Sequence, residues 1–265
     1  MKRHNALLAT AAAGLATLTA CAATPVNPAT LALTATAVTR INPAGGVTVQ
    51  KTNVTWGGLP GNTQNVDLER SPSGSATRTK LGTFPASTTT FSDTNVAPGT
   101  TYTYYVTAFD QNNSPVGNAS VANVKVFAAS DIGAPTITAP AANAQVDRSQ
   151  GFTATWQQAS PVPTFYYVLV NNSQGDVFGL ILSGGTTTAN IGTIAPKLPA
   201  QSLVPDNASI PNLSNVIDIK TAGGFSPGTS YQLSVSAIIS DNAADLAQAH
   251  SVGIRDSAPV TFAVS

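Results

Sequence analysis

The chain has 265 residues, and 12 Lys and Arg against 12 Asp and Glu give it a formal net charge of zero at neutral pH. Only 9% of its residues are charged while 42% are hydrophobic, and 21 glycines and 18 prolines are spread along its length. No basic tract interleaved with aromatics is present, which excludes an electrostatic footprint for nucleic acid, and the frequent breakers favour a β-rich extracytoplasmic protein.

Lys2 and Arg3 open the chain, and an uncharged apolar stretch follows from Ala6 to Ala20. A membrane-spanning helix needs about 20 apolar residues. This run is shorter and gives way from Thr24 to polar, proline-bearing sequence, so residues 1–20 read as a secretory signal peptide. Cys21, immediately after it, is the only cysteine. An exported thiol with no disulfide partner needs another purpose.

Leu18-Thr19-Ala20-Cys21 resembles the lipobox of bacterial lipoproteins, an aliphatic residue and two small ones before the cysteine. The resemblance implies cleavage before Cys21, attachment of a diacylglycerol to its sulfur, and a membrane as the partner of that lipid. Each buried CH₂ contributes about 0.8 kcal/mol, so one acyl chain holds only marginally and two or three hold durably. Ala22 stands where lipoproteins retained at an inner membrane often carry Asp, which leans toward the outer membrane or cell surface. Residues 21–29 form a lipidated cysteine and tether, because the two prolines and small side chains of "AATPVNPA" cannot build a core element. Loss of residues 1–20 leaves 10 basic and 12 acidic side chains.

The remaining chain contains a repeat. "VAPGTTYTYYVTA" (Val96 to Ala108) and "FSPGTSYQLSVSA" (Phe225 to Ala237) both place Pro-Gly-Thr between an apolar residue and a tyrosine six positions later. Side chains then alternate, Tyr102, Tyr104, Val106, Ala108 in one copy and Tyr231, Leu233, Val235, Ala237 in the other, which marks half-buried strands. Upstream, each copy has a single tryptophan closing an alternating run, "NVTW" at Trp56 and "FTATW" at Trp156.

This pattern resembles fibronectin type III domains, β-sandwiches with a tryptophan on an early strand and a tyrosine corner entering a late one. The resemblance implies Trp56 and Trp156 in the two cores. It implies that the hydroxyls of Tyr102 and Tyr231 bond back to backbone a few residues upstream. The expected fold is all-β: tandem immunoglobulin-like, fibronectin type III-like sandwiches over residues 30–128 and 134–265, joined by "ASDIG" after the signal peptide and tether. The second copy departs in its middle, where the Trp-to-Tyr spacing is 75 residues against 46. The extra residues fall within 183–224, a segment with four prolines, which reads as extra edge strands or as a partner-binding surface. Helix is scarce, with "SDNAADLAQAHS" (Ser240 to Ser251) able to form a brief one.

Chemistry-bearing residues are few. Beyond residue 20 the chain holds one histidine, His250, and one glutamate, Glu69, whereas most catalytic schemes need several such groups converging. A Ser-His-Asp site would have to use His250 with Asp241, Asp245 or Asp256, and those aspartates lack the spacing of a calcium loop. One His and one Cys cannot close a zinc site. Asp67 and Glu69 lie at i, i+2 and share one strand face, so they read as a solvated stripe with Arg70 or Lys80 rather than carboxylates flanking a sugar bond. On the face opposite Tyr102 and Tyr104, Tyr105 and Phe109 could offer rings to a polysaccharide. The first reading is therefore a non-catalytic envelope lipoprotein acting by contact with a protein or polysaccharide partner, without cofactor or metal. A carbohydrate- or cell-wall-binding module is the alternative, and a hydrolase accessory or enzyme comes third.

Overall fold

The computed structural model describes residues 28–41, 47–174, 177–191, 216–217 and 224–265. Two sandwiches follow one another. In the first, strands β2 (Ala32–Ile41), β3 (Val47–Gly57) and β6 (Thr90–Asp93) form one sheet in that order. The facing sheet runs β1 (Ala29–Thr30), β8 (Pro115–Lys125), β7 (Thr101–Phe109), β4 (Asn65–Pro72), β5 (Thr79–Pro85). The second repeats the plan with β9 (Thr136–Ala139), β11 (Phe152–Gln157) and β14 (Thr188–Ile191) against a larger sheet. That sheet is ordered β10 (Gln145–Val146), β18 (Val260–Val264), β16 (Ser230–Ser240), β12 (Phe165–Asn171), β13 (Val177–Ser183), β15 (Val216–Ile217), and β17 (Val252–Asp256) also pairs with β16. From the tryptophan strands β3 and β11 onward the two copies switch sheets in the same order, so the fold is a tandem of immunoglobulin-like, fibronectin type III-like sandwiches.

Period-two patterning explains the layers. Tyr102, Tyr104, Val106 and Ala108 are buried on the inner side of β7, and the residues between them face outward. They pack with Val54, Trp56, Val66 and Leu68 into the first core. The second core is separate and gathers Trp156, Tyr166, Val168, Tyr231, Leu233 and Phe262. Tyr166 is a core residue, its ring edge-on to Trp156 with 5.3 Å between centroids, and offers no surface for stacking.

The repeated Pro-Gly-Thr is a turn of the same geometry in both copies. Gly99 and Gly228 take φ +75° and +72°, where a Cβ would be strained. Their N–H groups donate to Val126 and Val264 carbonyls at 2.8 Å in each case. Immediately before the prolines, Ala97 N–H donates to the Tyr102 hydroxyl at 2.9 Å and Ser226 N–H to the Tyr231 hydroxyl at 3.0 Å. Each tyrosine thereby pins the crossover that leads into its own strand.

The segment Ser240 to Ser251 forms a single 3-10 turn, Leu246–Gln248, rather than a longer helix. The Asn242 side chain accepts from the N–H groups of Ala244 and Asp245, and Asp245 accepts from Ala247. Such local bonds compete with helix propagation.

Candidate functional site

The chemistry-bearing residues of the first sandwich gather on the outward face of β4, β5 and β7. Register sets them side by side: Glu69 lies opposite Tyr105 on β7 and Lys80 on β5, and Asp67 opposite Thr107 and Thr83. Lys80 Nζ reaches Asp67 at 2.7 Å and Thr83 donates to the same carboxylate at 2.6 Å. Burial opposes ionisation of Asp67, but these two bonds outweigh it and hold the carboxyl below its ordinary value. Arg78 bonds Glu69 at 3.4 Å, and its guanidinium sits 3.7 Å from the centroid of the Tyr105 ring. The Tyr105 hydroxyl lies 3.4 Å from Ser71 Oγ. Phe109 is on the same face but about 14 Å along the strand from Tyr105, at roughly 3.4 Å per residue, and is half-buried. Tyr105 and Phe109 therefore do not form a joint aromatic platform, and Arg78 occupies one face of the Tyr105 ring.

Of the two cations expected beside Asp67 and Glu69, Lys80 is in the outward stripe and Arg70 is not. It lies opposite Tyr104, an inward residue, so it points into the sandwich. There it pairs with Asp93 on β6 of the facing sheet. Asp93 is 2% exposed and also accepts from the Tyr104 hydroxyl at 2.9 Å and from Asn95 N–H at 3.1 Å. The Arg70 guanidinium stacks 4.9 Å from the Tyr102 ring centroid. Burial pushes the Tyr104 phenol well above its ordinary value, so it remains a donor. Alternation along β4 puts Arg70 on the inward side with Val66 and Leu68, but nothing local to the strand names Asp93, on another sheet, as its partner.

His250 lies in the β16–β17 loop with Nδ1 3.5 Å from Asp241. The other Asp241 oxygen accepts the N–H groups of His250 and Ser251, at 2.9 and 3.1 Å, which is loop-closing work. Asp245 caps the 3-10 turn, and Asp256 stands at the end of β17. The three aspartates do not converge on the imidazole, and among the described residues no group of three or more His, Cys, Asp and Glu could hold a metal ion. Trp56 and Trp156 are buried with indole N–H groups that have no hydrogen-bond partner among the described residues. Cys21 and most of the 183–224 insertion lie outside the described residues, apart from β14, β15 and the ends of the segment. β15 adds to the β13 edge by pairing Val216 and Ile217 with Gly179 and Phe178.

No protein-family model matches the chain, and no curated protein matches it. Among solved structures it is similar to a two-domain fibronectin type III segment of chicken tenascin, at 11% identity, TM-score 0.32, covering 89% of this chain and 97% of that one. Fibronectin(III)-like modules of CbhA from Clostridium thermocellum match at 14% identity and TM-score 0.38, covering 88% of this chain and 93% of theirs. The FN1–FN3 domains of chicken CNTN1 match at 16% identity and TM-score 0.39, covering 85% and 68%. The fold assignment rests on the strand order, to which likenesses this distant add nothing. Among the described residues no helix is long and apolar enough to cross a membrane.

Proposed function

We propose that the chain is a cell-envelope lipoprotein, anchored through acylated Cys21, that acts by contact as an interaction, adhesion or scaffold module. The observation that carries this reading is the order of parts along the chain. A lipobox follows an apolar run, a short proline-bearing tether comes next, and two sandwiches with separate cores come last. Rigid β-scaffolds suit surface display because their outward strands carry side chains without disturbing the core. The outward face of β4, β5 and β7, with alternating Asp67, Glu69, Lys80 and Arg78 around the Tyr105 ring, supports a polar protein partner. The polysaccharide alternative draws no support from Tyr105, since a stacked sugar would have to displace Arg78.

Anchoring predicts that Cys21→Ser moves the protein from the detergent phase to the aqueous phase in a phase-partition assay of whole membranes. Equal partitioning of variant and parent would overturn it. The contact reading is tested by crosslinking from native membranes with the parent and with Arg78→Ala/Lys80→Ala, which should lose crosslinked protein partners while retaining the anchor.

A further inference from the structure

The β2–β3 hairpin is longer than the first sandwich needs. Its pairing runs from Ala32 opposite Gly57 to Ile41 opposite Val47. Leu33, Ala35, Ala37, Val54 and Trp56 belong to the first core, but Ile41 does not. Instead Ile41 is buried in a cluster of the second sandwich with Tyr167, Ile238, Leu246, Ala249 and Val252.

Two residues before it, Thr39 N–H donates to the His250 carbonyl at 2.8 Å. The Thr39 hydroxyl lies 3.2 Å from Ser251 Oγ, which also accepts from Phe127 N–H at 3.0 Å. Thr39 and Ser251 are 1% and 0% exposed, so this hub is shielded from competing water. A Cβ on Gly253 would fall 2.2 Å from the Ala128 carbonyl oxygen, so β17 sits directly against the backbone that enters the linker. The linker is held from both ends. Lys125 Nζ bonds Asp131 at 2.8 Å and the Gly99 carbonyl at 2.6 Å, while Ile132 is buried in the second core.

We infer that the two sandwiches move and unfold as one body, with a single fixed angle set by the β2–β3 arm of the first seated on the β16–β17 hairpin of the second. Linked domains whose contacts are few and polar move independently. Here an apolar plug, a buried hydroxyl hub and a glycine-tight backbone contact act together, and the 11-residue β16–β17 loop, 241–251, supplies the socket. The β2–β3 arm and this loop thus serve as the clasp of a rigid spacer. The inference holds whether or not Cys21 carries lipid.

The test uses the full chain carrying Cys21→Ser, so that no native thiol takes label, with dyes on Ala76→Cys and Ala142→Cys, both exposed and in different sandwiches. Single-molecule energy transfer should give one narrow distance population, and thermal unfolding one transition. Ile41→Asp and, from the other side, Gly253→Val should each broaden the distance distribution several-fold and split unfolding into two transitions, with strand circular dichroism retained at low temperature. If one variant fails to fold, the other reads the same joint. A broad distribution in the parent, or folded variants indistinguishable from it, would overturn the inference.

Discussion

The hydroxyls of Tyr102 and Tyr231 accept backbone N–H groups five residues upstream, Ala97 and Ser226. Phenylalanine at either position preserves the ring packing but leaves that N–H without its partner, a cost of about 1–3 kcal/mol. Tyr102→Phe is therefore expected to lower the urea midpoint with an unchanged slope, and Tyr231→Phe to do the same. A midpoint unmoved by either would mean that water satisfies the N–H and the corner is not a stability element. These tyrosines were legible because the motif occurs twice, with Pro-Gly fixing the turn and alternation fixing the face. The pairing of Arg70 was not legible. Glu69 and Ser71 lie on the other face of β4, so alternation turns Arg70 inward, but its partner Asp93 stands 23 residues away on the opposing sheet.

That pair has consequences at the level of strands. β4 and β6 belong to different sheets, so Arg70 and Asp93 cross the sandwich core and tie its layers by charge as well as by apolar contact. Removing one partner leaves a buried unpaired charge, which typically costs about 3–5 kcal/mol, whereas replacing both by apolar groups can be close to neutral. Asp93→Ala should therefore destabilise the first sandwich strongly, and adding Arg70→Met should recover much of the loss in a double-mutant cycle read by chemical denaturation. Additive effects would show that the two side chains are not coupled. Strand identities themselves were readable from period two along β7, β11 and β16. The 3-10 turn at Leu246–Gln248 was readable as a short helical segment but not in its extent, because Asn242 and Asp245 intercept the N–H groups that a longer helix would need.

Over the whole molecule, the tandem plan followed from the duplicated Trp and Tyr landmarks, since each set needs its own core. The clasp between the sandwiches did not, because its hydroxyl contact joins residues 212 positions apart and no local pattern in β2 distinguishes an arm from an ordinary strand. One feature of the sheets bears on what such a chain withstands. In each sandwich a short strand near the start pairs in parallel with the last strand: Ala29 and Thr30 with Gly117 and Asn118, Gln145 and Val146 with Ala263 and Val264. Pulling the two termini of a sandwich apart slides such a parallel pair lengthwise, so its hydrogen bonds are loaded in shear and must fail together. Antiparallel ends such as Thr101 and Lys125 would instead open one bond at a time. Optical-tweezer attachments at residues 28 and 126 should therefore rupture the first sandwich at a higher force than attachments at residues 100 and 126, and equal forces would refute this. A body tied to a membrane at one end and gripped at the other would meet drag along its strongest mechanical axis.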